Sequence, residues 1–169
     1  MFQGWDSFYL LIGSAAAGLI GLLFVVATLT ANRDAASAMR GARIFMTPTV
    51  FHFAVALVIS ALALAPRLTS HAAGLLVAAA ALVGLVYSVA VTVALGRGEA
   101  PETSHWSDLW CYGVAPAAIY VGLAAMAVAL WVGAPCAAPG LAVLQLILLL
   151  AAVRNAWDLV TWLAPRRGD

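Results

Sequence analysis

The residues of this sequence most able to carry chemistry lie near its C-terminal end, inside a long apolar run. Arg154 and Asp158 are four residues apart, so in a helix they share one face about one turn apart. At about 100° per residue, Asn155 and Thr161 fall on the same side of that helix. An unpaired charge in apolar surroundings costs several kcal/mol. We therefore predict that this face turns inward and meets other polar groups.

Three polar residues in two other apolar runs are candidates for that contact: His52, Tyr87 and Ser88. His52 and Asp158 can both change protonation state, so the chemistry that suits this set is the movement of protons or ions. The sequence contains no nucleophile elbow, zinc-ligand spacing or phosphate-binding loop. Only His52 lies deep in an apolar run, which argues against a haem with two axial histidines. We predict no catalytic residues, no metal site and no cofactor.

Composition indicates which solvent surrounds these residues. Of the 169 residues, 65% are hydrophobic and only 9% are charged, and the mean hydropathy is +1.04. Soluble domains are about half apolar and about one quarter charged, and a chain of this size cannot hide so much apolar surface in its own core. The formal net charge of +1 argues against a nucleic-acid footprint. The chain is therefore predicted to be a single-domain integral membrane protein with the lipid bilayer as its main partner.

Five apolar runs are long enough to cross about 30 Å of hydrocarbon, which takes about 20 residues of helix. Lipid cannot satisfy an open backbone, and no alternating strand pattern is present, so each run is predicted to be an α-helix. The predicted fold is all-α, a five-helix transmembrane bundle that comprises residues 1–169. The predicted spans are 8–30, 44–65, 72–96, 109–133 and 140–163.

The placement of arginine predicts the orientation of the bundle. All eight basic residues are arginines; six lie in the first loop, the third loop and the C-terminal tail, whereas Arg67 lies in the second loop and Arg154 within a span. The six are Arg33, Arg40, Arg43, Arg97, Arg166 and Arg167. Cytoplasmic loops carry an excess of positive charge, so the N-terminus is predicted outside and the C-terminus in the cytoplasm.

Depth counts along the helices place the polar residues near one another. At about 1.5 Å per residue, Asp158 lies roughly 8 Å and Arg154 roughly 14 Å from the inner end of the fifth span. His52 lies roughly 12 Å from the inner end of the second span, and Tyr87 lies at a similar depth in the third. We hypothesise one hydrogen-bonded cluster in the inner leaflet, formed by His52, Tyr87, Ser88, Arg154, Asn155 and Asp158.

Three roles remain open for this cluster. The Arg154–Asp158 pair can neutralise itself, in which case the cluster only fixes helix register. Asp158 and His52 can instead titrate along a water-filled pathway for ions or protons. The third possibility is a polar docking site for the transmembrane helix of a partner.

Small residues recur at helical spacing on two spans. Gly13, Ala17 and Gly21 line one face of the first span, and a stripe that includes Gly84 and Ser88 lines one face of the third. In lipid, small residues let two helix backbones approach closely, and such packing holds helices together. These residues are therefore predicted to pack helices, either within the chain or at a subunit interface.

Pro48 and Pro116 fall inside the predicted second and fourth spans. Proline removes a backbone hydrogen bond and disturbs the helix that precedes it, so we expect a kink at each position.

Cys111 and Cys136 lie near opposite ends of the fourth predicted span, roughly 37 Å apart along a helix. That separation excludes a disulfide between them within one chain.

The two ends of the chain carry motifs that resemble a known family. The start, Trp5-Asp6-Ser7-Phe8, is followed at 17–26 by Ala-Gly-Leu-Ile-Gly-Leu-Leu-Phe-Val-Val, and the last span contains Asn155 and Trp157. An aromatic-rich opening, a Gly-Leu-x-Phe-Val first helix and a late Asn-x-Trp pair are similar to a family of small bacterial integral membrane proteins. Some of its members are labelled modulator of FtsH protease. The resemblance implies a location in the bacterial inner membrane.

The loops between the spans are too short to hold an independent active site. We therefore predict a non-enzymatic protein that serves as an accessory subunit or modulator of a larger membrane complex. The alternative is a small homo-oligomeric ion or proton channel that uses the polar layer of the inner leaflet. A modulator should copurify with an unrelated membrane protein, whereas a channel should form by self-association.

Overall fold

The computed structural model of the protein describes residues 2–29, 46–97 and 106–163. Every regular element within these ranges is helical. A π-helix, Leu109–Val114, follows a single helical turn at Trp106–Asp108 and leads directly into the α-helix that begins at Ala115. The five long α-helices are α1 (Asp6–Leu29), α2 (Thr47–Leu64), α3 (Ser70–Gly96), α4 (Ala115–Trp131) and α5 (Ala137–Leu163).

Five helical segments are long and apolar enough to cross a membrane. They are Asp6–Thr28, Thr47–Leu64, Ser70–Gly96, Leu109–Trp131 and Ala137–Thr161, within three residues of the predicted limits. The prediction of an all-α bundle with five spans is thereby confirmed, and the chain is a polytopic membrane protein. Its orientation stays a prediction, because the first loop, 31–43, and the tail arginines Arg166 and Arg167 lie outside the described residues.

The helices follow one another around the bundle, and α5 closes it. α1 packs on α2, α2 on α3 and α3 on α4, while α5 contacts α4, α2 and α1. Because α5 also reaches across to α2, the middle of the bundle is filled by side chains, including the fully buried Tyr9, Tyr120 and Leu141. The described helices therefore form a solid core.

The face of α1 that packs on the other helices is not the predicted small-residue stripe. Gly13 packs closely on Ser60 of α2, but Ala17 and Gly21 are exposed. Steps of four residues advance the side chain by about 400°, so a stripe spaced in fours drifts by about 40° at each step and leaves the buried side. Besides Gly13, the residues that α1 buries are spaced by a mixture of threes, fours and sevens: Tyr9, Ile12, Ala16 and Leu23.

The stripe on α3 does lie against a neighbouring helix. A Cβ atom on Gly84 would overlap the ring of Tyr120 in α4, so the absence of a side chain is what admits that ring. Ser88 is buried one turn further along. Gly113 of the π-helix presses on Thr92 in the same way. Small residues thus let α3 approach the fourth span along most of the C-terminal half of α3.

The two prolines occupy similar places in their helices. Pro48 lies in the first turn of α2 as the structure describes it, where a missing N–H costs little, and the kink expected there stays a prediction because residues 30–45 lie outside the described ranges. Pro116 lies in the first turn of α4, directly after the π-helix. The disturbance expected at Pro116 takes the form of a widened helical turn directly before the proline.

Candidate functional site

The register between α5 and the fourth span decides how deep the polar residues lie. Gly140 packs on Met126, and Gly122 packs on Leu144. The same antiparallel register brings Asn155 level with Cys111, where the two form a hydrogen bond of 3.0 Å. Cys111 is only two residues inside the apolar segment that begins at Leu109. Asn155 therefore lies close to this end of the bundle, which is called the inner end after the predicted orientation.

The same register gives the levels of Arg154 and Asp158. Arg154 stands level with Tyr112, roughly 5 Å inside the apolar segment, and Asp158 stands level with Asp108, just outside it. The expected depths are too large because they were counted from Leu163, and α5 continues beyond the level at which the fourth span begins. The fifth segment itself ends at Thr161, so both charges lie within about two helical turns of its end, near the membrane edge.

His52 occupies a different level. Its Nδ1 lies 2.7 Å from the hydroxyl of Tyr120, which is midway between Leu109 and Trp131, and both side chains are buried. The level of Tyr120 is roughly 13 Å from that of Cys111 and Asn155. The hypothesis of a single layer is therefore corrected: the structure brings Arg154, Asn155 and Asp158 together and places His52 apart from them.

Tyr87 and Ser88 join neither charged residue. The ring of Tyr87 packs at a tilt against Phe51, with centroids 4.9 Å apart, and Phe51 in turn borders His52 and Tyr120. The backbone carbonyl of Ser88 accepts a hydrogen bond from Thr92. Within the described ranges, the Oγ of Ser88 and the Nε2 of His52 are buried without a hydrogen-bond partner. These groups belong to the packed middle of the bundle.

Asn155 repairs a break in the backbone hydrogen bonding of the fourth span. In the π-helix the N–H of Ala115 donates to the carbonyl of Trp110, so it is not available to Cys111 as it would be in an α-helix. In the π register the donor for Cys111 would be residue 116, which is a proline and has no N–H. The Nδ2 of Asn155 donates to this carbonyl instead.

Two further contacts hold Asn155 in place. The hydroxyl of Tyr112 donates to the backbone carbonyl of Asn155 at 2.9 Å, and Arg154 donates to its Oδ1 at 3.3 Å. Asn155 is fully buried. We refer to Asn155, Cys111 and Tyr112 as the inner clasp. It joins α5 to the π-helix through polar groups of both backbones.

Gln145 is a buried polar residue that sequence reasoning missed. Its Nε2 donates to the carbonyl of Ala56 at 2.7 Å and to the Oγ of Ser60, so α5 is joined to α2 near mid-membrane. The available signal was a single amide inside the apolar run from Leu141 to Leu150, where polar side chains are rare and normally paired. Gln145 carries no charge, so a search for charged side chains does not find it.

The ion pair lies on the outside of the bundle. Arg154 Nη1 is 3.1 Å from Asp158 Oδ2, and the two side chains are 46% and 39% exposed. The prediction that this face turns inward is therefore wrong for the charges, although it holds for Asn155. At the membrane edge, headgroups and water can solvate such a pair, which removes the need for burial. Trp157, 69% exposed, lies beside it.

The described residues contain no group of three or more His, Cys, Asp or Glu side chains that could hold a metal ion. Cys111 and Cys136 are free thiols. Comparison with protein-family models, with curated proteins and with solved structures finds no match to this chain. The geometry of the site thus consists of the inner clasp, two mid-membrane pairs (His52–Tyr120 and Gln145–Ser60) and an exposed ion pair.

Proposed function

We propose that this protein is a non-enzymatic accessory subunit or modulator of a larger complex in the bacterial inner membrane. The observation that supports the proposal most directly is the outward face of α1. Four small residues occupy the middle of that face and are exposed; Ser14, Ala17, Gly18 and Gly21 are named here the α1 small face. In lipid, such a face admits the backbone of another helix.

The surroundings of the α1 small face suit a helix better than disordered lipid. Apart from the adjoining residues and backbone of α1 itself, no described residue has an atom within 4 Å of a Cβ atom placed on Gly18 or Gly21. Large exposed side chains flank this face towards either end, including Leu10, Leu22 and Phe24. The outline is therefore a shallow depression bordered by ridges, which a partner helix can fill by ridges-into-grooves packing.

The buried polar groups favour this proposal over the channel. A channel within one chain needs polar groups that connect across the membrane. In the described part of the bundle, His52–Tyr120, Gln145–Ser60 and the inner clasp are separate sets, and none is hydrogen-bonded to another. A channel would therefore have to lie between chains. The family resemblance at both ends, with its label of modulator, supports the accessory role.

The first experiment is purification from the native membrane in a gentle detergent, followed by mass determination and identification of every copurifying protein. The proposal expects a stoichiometric foreign membrane protein. The double variant Ala17→Leu/Gly21→Leu fills the α1 small face and is expected to reduce recovery of that partner about tenfold, the equivalent of about 1.4 kcal/mol. The matched control is Ala78→Leu/Ala79→Leu, which enlarges two exposed residues of α3.

A symmetric homo-oligomer with no foreign protein would contradict the accessory role and favour the channel. The next measurement would then be ion and proton flux through the reconstituted oligomer, with His52 and Asp158 variants. A foreign partner retained equally by both double variants would keep the accessory role but remove α1 as its docking face.

A further inference from the structure

A groove on the outer surface of the bundle runs between α3 and the start of the fourth span. It encloses about 340 Å³, and its walls include Val89, Thr92, Val93, Val114, Ala117 and Ala118. Gly113 holds the two helices close at one end, whereas the alanines are too short to fill the space beyond. The hydroxyl of Thr92 donates to the carbonyl of Ser88 at 2.8 Å. Because that hydroxyl is engaged, the groove presents an apolar wall.

A cation and an indole stand at the inner end of this groove. Arg97 is exposed and lies one helical turn beyond Val93, so it shares the face of α3 that lines the groove. In the part of the chain that the structure describes, no carboxylate pairs with Arg97. Trp110, about one turn before Val114, is 53% exposed. Asp108 is two residues before Trp110 and falls on the opposite side of that helix.

We propose that this groove is a binding site for an anionic phospholipid. One acyl chain occupies the groove, and the guanidinium of Arg97 binds the phosphate at the membrane edge. Arginine suits this role because its planar N–H groups match two phosphate oxygens and it stays charged. Trp110 lies at headgroup level, where indoles are favoured. The inference is independent of the proposed accessory role.

The dimensions favour a lipid over a protein partner. A helix with its side chains is about 10 to 12 Å across, so a partner helix would lie over this groove without entering it. An acyl chain is narrow and flexible, and its methylene groups can follow a wall of valines and alanines. The charge at the end selects among lipids, since Arg97 attracts an anionic headgroup more strongly than a zwitterionic one.

The test is native mass spectrometry of the full-length protein, with phosphatidylglycerol and phosphatidylcholine of identical acyl chains as probes. Wild type is expected to retain phosphatidylglycerol at least threefold more than phosphatidylcholine. Arg97→Gln is expected to equalise the two lipids, because it removes the charge and leaves the groove. Ala118→Phe is expected to reduce retention of both, because it fills the groove.

Two matched variants control for general effects. Arg67→Gln removes an exposed arginine at the opposite end of the bundle, and Ala125→Phe enlarges an exposed alanine of α4 outside the groove. Both should retain lipid like wild type. Equal retention of the two lipids by wild type overturns the proposal, as does an equal loss in Arg67→Gln and Arg97→Gln. Circular dichroism checks folding; if Ala118→Phe is unfolded, Ala118→Leu replaces it.

Discussion

The inner clasp and the mid-membrane pairs are both buried and polar, but they differ in what they satisfy. In the clasp, Asn155 donates to a backbone carbonyl that the π-helix and Pro116 leave without a helical donor. At mid-membrane, the Nδ1 of His52 and the hydroxyl of Tyr120 share one hydrogen bond, and the Nε2 of His52 has no partner among the described residues. Gln145 reaches Ser60 and a carbonyl of α2 that an intact helix already serves.

This difference predicts an asymmetry in energy. Removing one member of the clasp exposes a backbone group to an apolar environment, where an unsatisfied group costs several kcal/mol. Removing a hydroxyl from a mid-membrane pair leaves a side chain that can turn or find another acceptor. The clasp is therefore expected to dominate the stability of the contact between α5 and the fourth span.

The largest expected effect is that of Asn155→Ala. It leaves the Cys111 carbonyl without a donor and opens a small cavity, so the free energy of unfolding should fall by about 3 kcal/mol. Equilibrium unfolding in mixed micelles measures this change. Ser60→Ala is the mid-membrane counterpart, with an expected loss of about 1 kcal/mol, since Gln145 keeps its bond to Ala56. Equal losses in the two variants would contradict the asymmetry.

A smaller loss is expected from Gly84→Ala, which tests packing around the mid-membrane pair. The added methyl group meets the ring of Tyr120, whose hydroxyl is held by His52. We expect the free energy of unfolding to fall by about 2 kcal/mol, as overpacking outweighs the helix propensity of alanine. Gly96→Ala, at an open position of the same helix, should be neutral or slightly stabilising. Similar thermal stability of the two variants in one detergent would refute a tight fit at Gly84.

A double-mutant cycle isolates the role of the missing N–H at Pro116. Alanine at this position supplies an N–H that can donate a hydrogen bond to the carbonyl of Cys111, either in the π register or after local rearrangement. The cost of Asn155→Ala should therefore be about 1 kcal/mol smaller in the Pro116→Ala background than in wild type. An unchanged cost would mean that Asn155 stabilises the bundle by packing rather than by repairing the backbone.

Hydropathy and helix geometry were sufficient to predict the five spans, because lipid imposes length and apolar composition on every spanning helix. They were insufficient to predict which side of a helix is buried. Leu10 and Leu11 are exposed while Ile12 is buried, and all three are equally apolar. Between lipid and core, apolar burial does not discriminate, so small and polar residues carry the information.

The positions of the polar residues could be predicted only in part. Asn155 was recognisable as a buried group because an amide inside a span needs partners, but its partner depends on the π-helix. A π turn changes which N–H donates to which carbonyl, and no periodicity in the sequence of Leu109–Val114 predicts that change. The depth error for Arg154 had a related origin, since the register between α5 and the fourth span is a tertiary property.

The smallest expected effect is that of removing the ion pair. Arg154→Met/Asp158→Leu replaces two half-exposed charges at the membrane edge by apolar groups of similar length. Exposed ion pairs contribute about 0 to 1 kcal/mol, and Asn155 keeps its bond to Cys111, so the free energy of unfolding should change by less than about 1 kcal/mol. A loss as large as that of Asn155→Ala would show that the pair supports the clasp through the bond from Arg154 to the Asn155 amide. Retention of stability with loss of a copurifying partner would instead assign the pair to an interface at this edge, separate from the α1 small face.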